Sequence, residues 1–220
     1  MTEDETKKSS EIAMPSVPGD TAATVVGDKI WFVTIEYDDS PENPSNEWDG
    51  FGKFHSLSTR HYNFNEDCPQ ILKDDEDAVP LSYYEHGNCM WFTADGPTPC
   101  GVEFQWDGVS LAGVWEPDDH VRESTEFKPG TDERRAWMRE QAESACETYT
   151  QWCNGSVYGY SVTAYAVRRV GDDIYDEESD YRLDDTVFEE SCWGFYGWDS
   201  VEEAVKDVID SATARNEEDV

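Results

Sequence analysis

Three side chains able to ligate a transition metal, His55, His61 and Cys68, fall close together in the chain, and Cys89 or Cys100 could complete a tetrahedral zinc site with them. The six cysteines stand at 68, 89, 100, 146, 153 and 192, and none forms a C-x-x-C pair. That spacing is what marks most zinc and dithiol motifs. The trio is therefore a metal candidate on residue type alone, and no cofactor is expected. Cys146 and Cys153 lie seven apart on a helical stretch and share one side of it. A thiol nucleophile needs a nearby base and a lowered pKa. The stretch holds no His, and Glu143 and Glu147 oppose ionisation, so core packing is the expectation for both. His86 sits in a turn and His120 follows Asp118-Asp119. Either could serve as a general base, but neither a Ser or Cys elbow nor a Gly-rich phosphate loop accompanies them. Asn63, Asn65, Asp67 and Asp74 are spaced like ligands of a cation loop, with Cys68 where the turn glycine belongs. No catalytic residue is assigned, and the pattern points away from an enzyme. Carboxylate pairs carry no signal in a chain with 50 acids.

Two segments could make contacts with a partner. The connection 171–185, GDDIYDEESDYRLDD, carries eight acids and one Arg. It lacks the ordered ligands of an EF-hand, and charge runs stay in water. Asp172, Asp173, Asp176, Glu177, Glu178 and Asp180 are candidate protein-interaction residues there. The run Ser191–Gly197 interleaves two glycines with Trp193, Phe195 and Tyr196, which suits a bend beside stacked or exposed rings. Those three rings join the candidate interaction surface.

Fifty acids against 16 bases give a net charge of −34 and pI near 4.1. Self-repulsion at that density destabilises a compact state in dilute salt. Molar salt shortens the screening length to about 3 Å, so adaptation to a saline cytoplasm accounts for many acids, seven Lys, five Leu and six Ile. The competing account is imitation of a nucleic-acid phosphate array. Direct binding to nucleic acid or to an anionic membrane is excluded, since both need cationic groups to displace counterions. The opening MTEDETKKSS is polar, without a signal-peptide core, and no segment reaches the ~20 apolar residues of a membrane span. A cytoplasmic location with reduced thiols is expected.

The positioning elements follow from periodicity. Residues 1–22 look disordered, 23–214 form one α+β domain, and 215–220 form an acidic tail. In 28–37 the alternate residues Trp31, Val33, Ile35 and Tyr37 mark a buried face. Strands are expected at 51–59, at 81–85 and 89–94 around His86-Gly87-Asn88, and at 102–106 and 110–115 around Asp107-Gly108. The stretches 38–50 and 63–79 read as loops. A helix over about 131–153 is capped by Thr131, carries Met138, Ala142, Ala145, Tyr149 and Trp152 on one stripe, and stops at Asn154-Gly155. Long strands at 156–170 and 186–197 pair antiparallel. A second amphipathic helix, about 200–214, opens on a Ser200/Glu203 capping box. With 13 % aromatics and abundant Val, a mainly antiparallel sheet with two packed helices is expected.

Several short pieces stand in an order that resembles a known set of proteins. They are Glu47-Trp48-Asp49-Gly50-Phe51-Gly52, Arg60-His61-Tyr62-Asn63, the stretch Pro80–Gly87, Trp106-Asp107, Gly155–Gly159 and Ser191–Gly197. Together they resemble a family of small, uncharacterised acidic proteins encoded by tailed phages and mobile elements. The long acidic insert at 171–185 and the acidic ends depart from that pattern. The resemblance implies a viral or mobile-element origin and supplies no catalytic residues. The function expected is non-enzymatic: an accessory protein that binds a host protein. Nucleic-acid mimicry against a basic nucleic-acid-binding enzyme, of anti-restriction or anti-defence type, is its specific form. A metal- or thiol-dependent enzyme and a virion component are the alternatives.

Overall fold

The computed structural model describes residues 12–26, 28–98, 104–169 and 181–218. The fold is α+β with antiparallel sheets. The region expected to be one domain holds two compact units, each with its own sheet, helix and core. One comprises the segments up to Pro41 and from Ser156 onward, the other Glu42–Gly155.

The first unit is built on β1 (Thr21–Val26), β2 (Lys29–Tyr37), β7 (Val157–Arg169) and β8 (Tyr181–Tyr196), paired antiparallel in the order β1-β2-β7-β8. The period-2 pattern in β2 sends Trp31, Val33 and Ile35 inward, opposite Ala164, Val162 and Tyr160 of β7. Helix α6 (Trp198–Glu218) lays Val201, Val205, Ile209 and Ala212 on that face, and all four are buried. Burying each Val or Ile contributes about 1.5–3 kcal/mol. Tyr37, expected on the buried face, lies at the strand end and is 55 % exposed. The second unit enters the chain between β2 and β7. Those strands still pair to their ends, where the Asp38 N–H donates to the Val157 carbonyl at 2.8 Å.

Two expectations need correction in this unit. The irregular segment expected to reach 22 is ordered from Ile12 within the described residues. Ile12 is buried with Trp31 and the α6 stripe, the Ala13 N–H donates to Thr24 Oγ1 at 2.9 Å, and β1 begins at Thr21. A polar sequence with one Ile and one Met still packs when a sheet edge accepts its side chains. Residues 1–11 lie outside the described residues. The expected capping box is absent: α6 starts at Trp198, so Ser200 is inside its first turn and its hydroxyl donates to the Tyr196 carbonyl at 3.0 Å. Trp198 Nε1 instead donates to Glu202 at 2.9 Å.

The second unit holds β3 (Lys53–Ser56), β4 (Val79–His86), β5 (Asn88–Thr93) and β6 (Gly108–Glu116), in the order β3-β6-β4-β5. Its long helix α5 (Asp132–Cys153) starts on Thr131, whose hydroxyl accepts from the Arg134 N–H at 3.3 Å, and ends on Asn154 and Gly155 (φ +67°). The stripe Met138, Ala142, Ala145, Cys146 and Tyr149 is buried against β4 and β5 with Leu81, Trp91, Trp115 and Phe54. Short helices α1 (Pro44–Glu47) and α2 (Cys68–Asp74) interrupt the stretches expected as loops, each with Pro in its first turn. Helix α4 (Asp119–Glu123) starts on Asp118, whose carboxylate accepts from Val121, Gly50 and Gly52 N–H groups. The hairpin expected around Asp107-Gly108 does not form. Residues Phe104–Asp107 make a helical turn, α3, and β6 pairs with β3 and β4. Asp-Gly serves here as a helix-to-strand junction, and Leu111 takes φ +53° where β6 shifts register against β4.

Candidate ligand pocket

The metal candidates do not converge. His55 Nε2 contacts Glu116 Oε2 at 2.9 Å, and its Nδ1 faces the Asn65 side chain at 3.2 Å. His61 Nδ1 bonds the Ser56 hydroxyl at 2.8 Å, and the buried Cys68 thiol donates to the Asn65 carbonyl at 3.1 Å. Among the described residues no three ligating groups are gathered as a metal would need. The cation-loop residues are equally occupied: Asn63 donates to the Phe54 carbonyl, and Asn65 Oδ1 accepts from Asp67 N–H. His86 Nδ1 meets Asp107 at 2.9 Å on the surface. Cys146 is packed in the core with its thiol pushed up by burial, as the helical spacing predicts, whereas Cys153, expected in the core as well, is exposed at the last turn of α5.

Of the candidate interaction residues, Asp172, Asp173, Asp176, Glu177, Glu178 and Asp180 lie outside the described residues. The three rings of β8 separate. Trp193 is 49 % exposed, its ring laid over Gly159 of β7, where a Cβ would come within 2.0 Å of it. Phe195 is half-buried and packs on Tyr160 at 5.5 Å, and Tyr196 is half-buried at the strand end.

What the structure does gather is a pocket in the second unit, of about 480 Å³, walled by Tyr62, Tyr83, Trp91, Tyr149 and Trp152. Two elements supply the walls. In the β4–β5 hairpin, Gly87 takes φ +83°, which fixes the register and sets Tyr83 opposite Trp91 with ring centres 4.7 Å apart. On α5, Tyr149 and Trp152 are three residues apart and stack at 5.7 Å with planes 18° apart. Asn43 reaches in from the N-terminus of α1. Its Nδ2 donates to Tyr62 Oη at 2.6 Å, and Tyr62 Oη meets Tyr149 Oη at 2.8 Å. Helix and hairpin are tied by the Trp91 N–H donating to Thr150 Oγ1 at 3.0 Å and by Thr93 Oγ1 donating to Glu143 at 3.1 Å.

The electrostatics of the pocket are simple. Burial raises the phenol pKa values of Tyr62, Tyr83 and Tyr149, so these rings stay neutral and keep their donors. Burial lowers the pKa of His61, which favours its neutral form. Formal charge in the lining comes from Glu85, which accepts from Tyr83 Oη at 3.1 Å, and from Arg60 at the rim. Two thiols, Cys89 and Cys153, complete the lining. Aromatic faces with neutral phenols attract cations through their quadrupoles, and guanidinium groups stack on them.

None of the pocket rings was singled out by sequence as functional. A signal existed for four of them. The Gly87 turn gives the Tyr83–Trp91 register, and the three-residue step gives Tyr149 and Trp152 a common helix face. Tyr62 gave none, because its place depends on Asn43 across a loop. Comparison of the chain with protein-family models, with curated proteins and with solved structures returns no match.

Proposed function

We propose that the protein is a non-enzymatic binding protein, the acidic accessory protein of a virus or mobile element, and that its second unit grips an arginine side chain of a basic host protein in the aromatic pocket. The carrying observation is the convergence of five rings on one concavity in a chain of net charge −34. The overall charge draws a basic partner toward the surface, and the pocket supplies selectivity that diffuse charge lacks. Exposed acids stand on both units, in strands, helices and connections alike. That spread favours solvent adaptation as the origin of the charge, and a discrete pocket as the recognition element over a phosphate-like row.

The test is a tryptophan-fluorescence titration in molar salt, where diffuse attraction is screened. An acetylated arginine amide is compared with its neutral urea isostere, citrulline amide. The arginine compound binds and citrulline does not. Trp152→Ala weakens binding by about 0.5–2 kcal/mol, roughly two- to thirtyfold. Equal binding of the two compounds, or an unaffected Trp152→Ala variant, rules out the reading.

A further inference from the structure

The pocket lining contains two cysteines from different elements, Cys89 at the start of β5 and Cys153 at the last turn of α5. Their thiols are near enough for each to shift the ionisation of the other. A second contact holds the two backbones in place. Asn154, the residue after Cys153, accepts from the Cys89 N–H through Oδ1 at 2.9 Å and donates from Nδ2 to the Cys89 carbonyl at 2.9 Å. The Asn154 amide thus fixes the Cys89 backbone beside the last turn of α5, and Cys153, the residue before Asn154, is exposed to solvent. The two thiols differ in character. Cys153 beside it lowers the pKa of Cys89, whereas that of Cys153 is raised by Cys89 and by burial. Cys89 is therefore the more readily ionised of the two.

We propose that Cys89 and Cys153 are a thiol–disulfide exchange site, oxidised to an intramolecular disulfide by low-molecular-weight disulfides. The Cys89 thiolate attacks one sulfur of the reagent disulfide, forms a mixed disulfide and expels one small thiolate, which takes up a proton. Cys153 then gives its proton to solvent, and its sulfur displaces the second small thiolate from Cys89. The balance is two protein thiols plus one reagent disulfide giving one protein disulfide plus two reagent thiols, with two electrons passing to the reagent. The closed bond ties the C-terminus of α5 to the start of β5 and removes both thiols from the pocket wall. The site stands on the Cys89–Cys153–Asn154 geometry and does not depend on the pocket's ligand.

The experiment exposes the full-length protein to oxidised glutathione, quenches with an alkylating reagent and maps the peptides by mass spectrometry. In the wild type Cys89 and Cys153 escape alkylation together and appear as one cross-linked peptide pair, reversed by dithiothreitol. Cys153→Ser traps a glutathione adduct on Cys89, and Cys89→Ser leaves Cys153 slow to react. Both exchanges are of similar size, so folding is preserved, and circular dichroism checks it. Full alkylation of both residues in the wild type overturns the proposal. So does a cross-link from either one to Cys68, Cys100 or another copy, and so does a Cys153→Ser protein with no adduct on Cys89.

Discussion

Removing the Asp77 carboxylate should unfold the second unit far below the wild-type melting temperature. Asp77 sits in the turn two residues before β4 and has 7 % of its side chain exposed, as has Arg134 of α5. Arg134 Nε and Nη2 bond the two carboxylate oxygens at 2.8 and 2.7 Å, and Arg122 of α4 adds a contact at 3.3 Å. Arg122 is itself held by Asp75 at 2.6 and 3.0 Å. Asp77→Ala therefore leaves Arg122 with a partner but strands a buried guanidinium that retains only the Phe127 and Arg122 carbonyls. Breaking a buried pair from one side costs about 3–5 kcal/mol. Each kcal/mol shifts the melting temperature of a unit this size by about 4 °C, so the loss is about 12–20 °C. The assay is thermal unfolding followed by near-ultraviolet circular dichroism, since the unit's packed Trp and Tyr rings report its tertiary structure. It is run in dilute and in molar salt. Salt steadies both proteins by screening the −34 charge, but the gap between them persists, because ions do not reach a buried pair. A gap of only a few degrees, or one that closes in molar salt, refutes the reasoning and makes the pair a surface one.

Three further outcomes follow from geometry. Asp75 is held below the ordinary carboxyl value of 3.8: burial opposes its ionisation, but hydrogen bonds and charge from Arg122 outweigh it. Asp118 is held below the same value, its burial outweighed by three backbone N–H donors. Folded values below unfolded ones add stability that is complete above the unfolded value and lost as pH falls through the folded values. Acid titration of unfolding should show that loss below about pH 4, and Arg122→Gln should diminish it. Gly159→Ala drives a Cβ into the Trp193 ring and costs about 1–3 kcal/mol in chemical denaturation. Trp193→Ala in the same chain abolishes that penalty, because the three atoms nearest to the added Cβ all belong to the Trp193 ring. Leu111→Asn relieves a left-handed backbone at an exposed position and raises stability by about 1 kcal/mol, measured by the same method.

The patterned elements were legible: β2 from its alternation, the β4–β5 hairpin from its Gly turn, α5 from its cap and stripe, and the β7–β8 pair from length and aromatic content. Each depends on neighbours in sequence. What escaped depends on partners far along the chain. β6 joins β3 and β4 rather than 102–106, because Asp-Gly suits a helix-to-strand junction as well as a hairpin. Ser200 resembles a cap, yet Trp198 starts the helix two residues earlier and finds its own acceptor. Ile12 reads as part of a polar tail until the edge of a sheet accepts it. Arg134, an inconspicuous residue in the first turn of α5, becomes a buried partner only when α5 meets β4. The pocket was hidden for the same reason, since its rings come from a loop, a hairpin and a helix.

The central claim is that those rings hold a guanidinium group. The most direct measurement is a backbone and side-chain chemical-shift map of the labelled full-length protein, titrated with the arginine amide in molar salt. Saturable shifts are predicted at Tyr62, Tyr83, Cys89, Trp91 and Trp152, with the citrulline amide producing none. Shifts scattered over the acidic surface without saturation, or none at the pocket rings, contradict the claim.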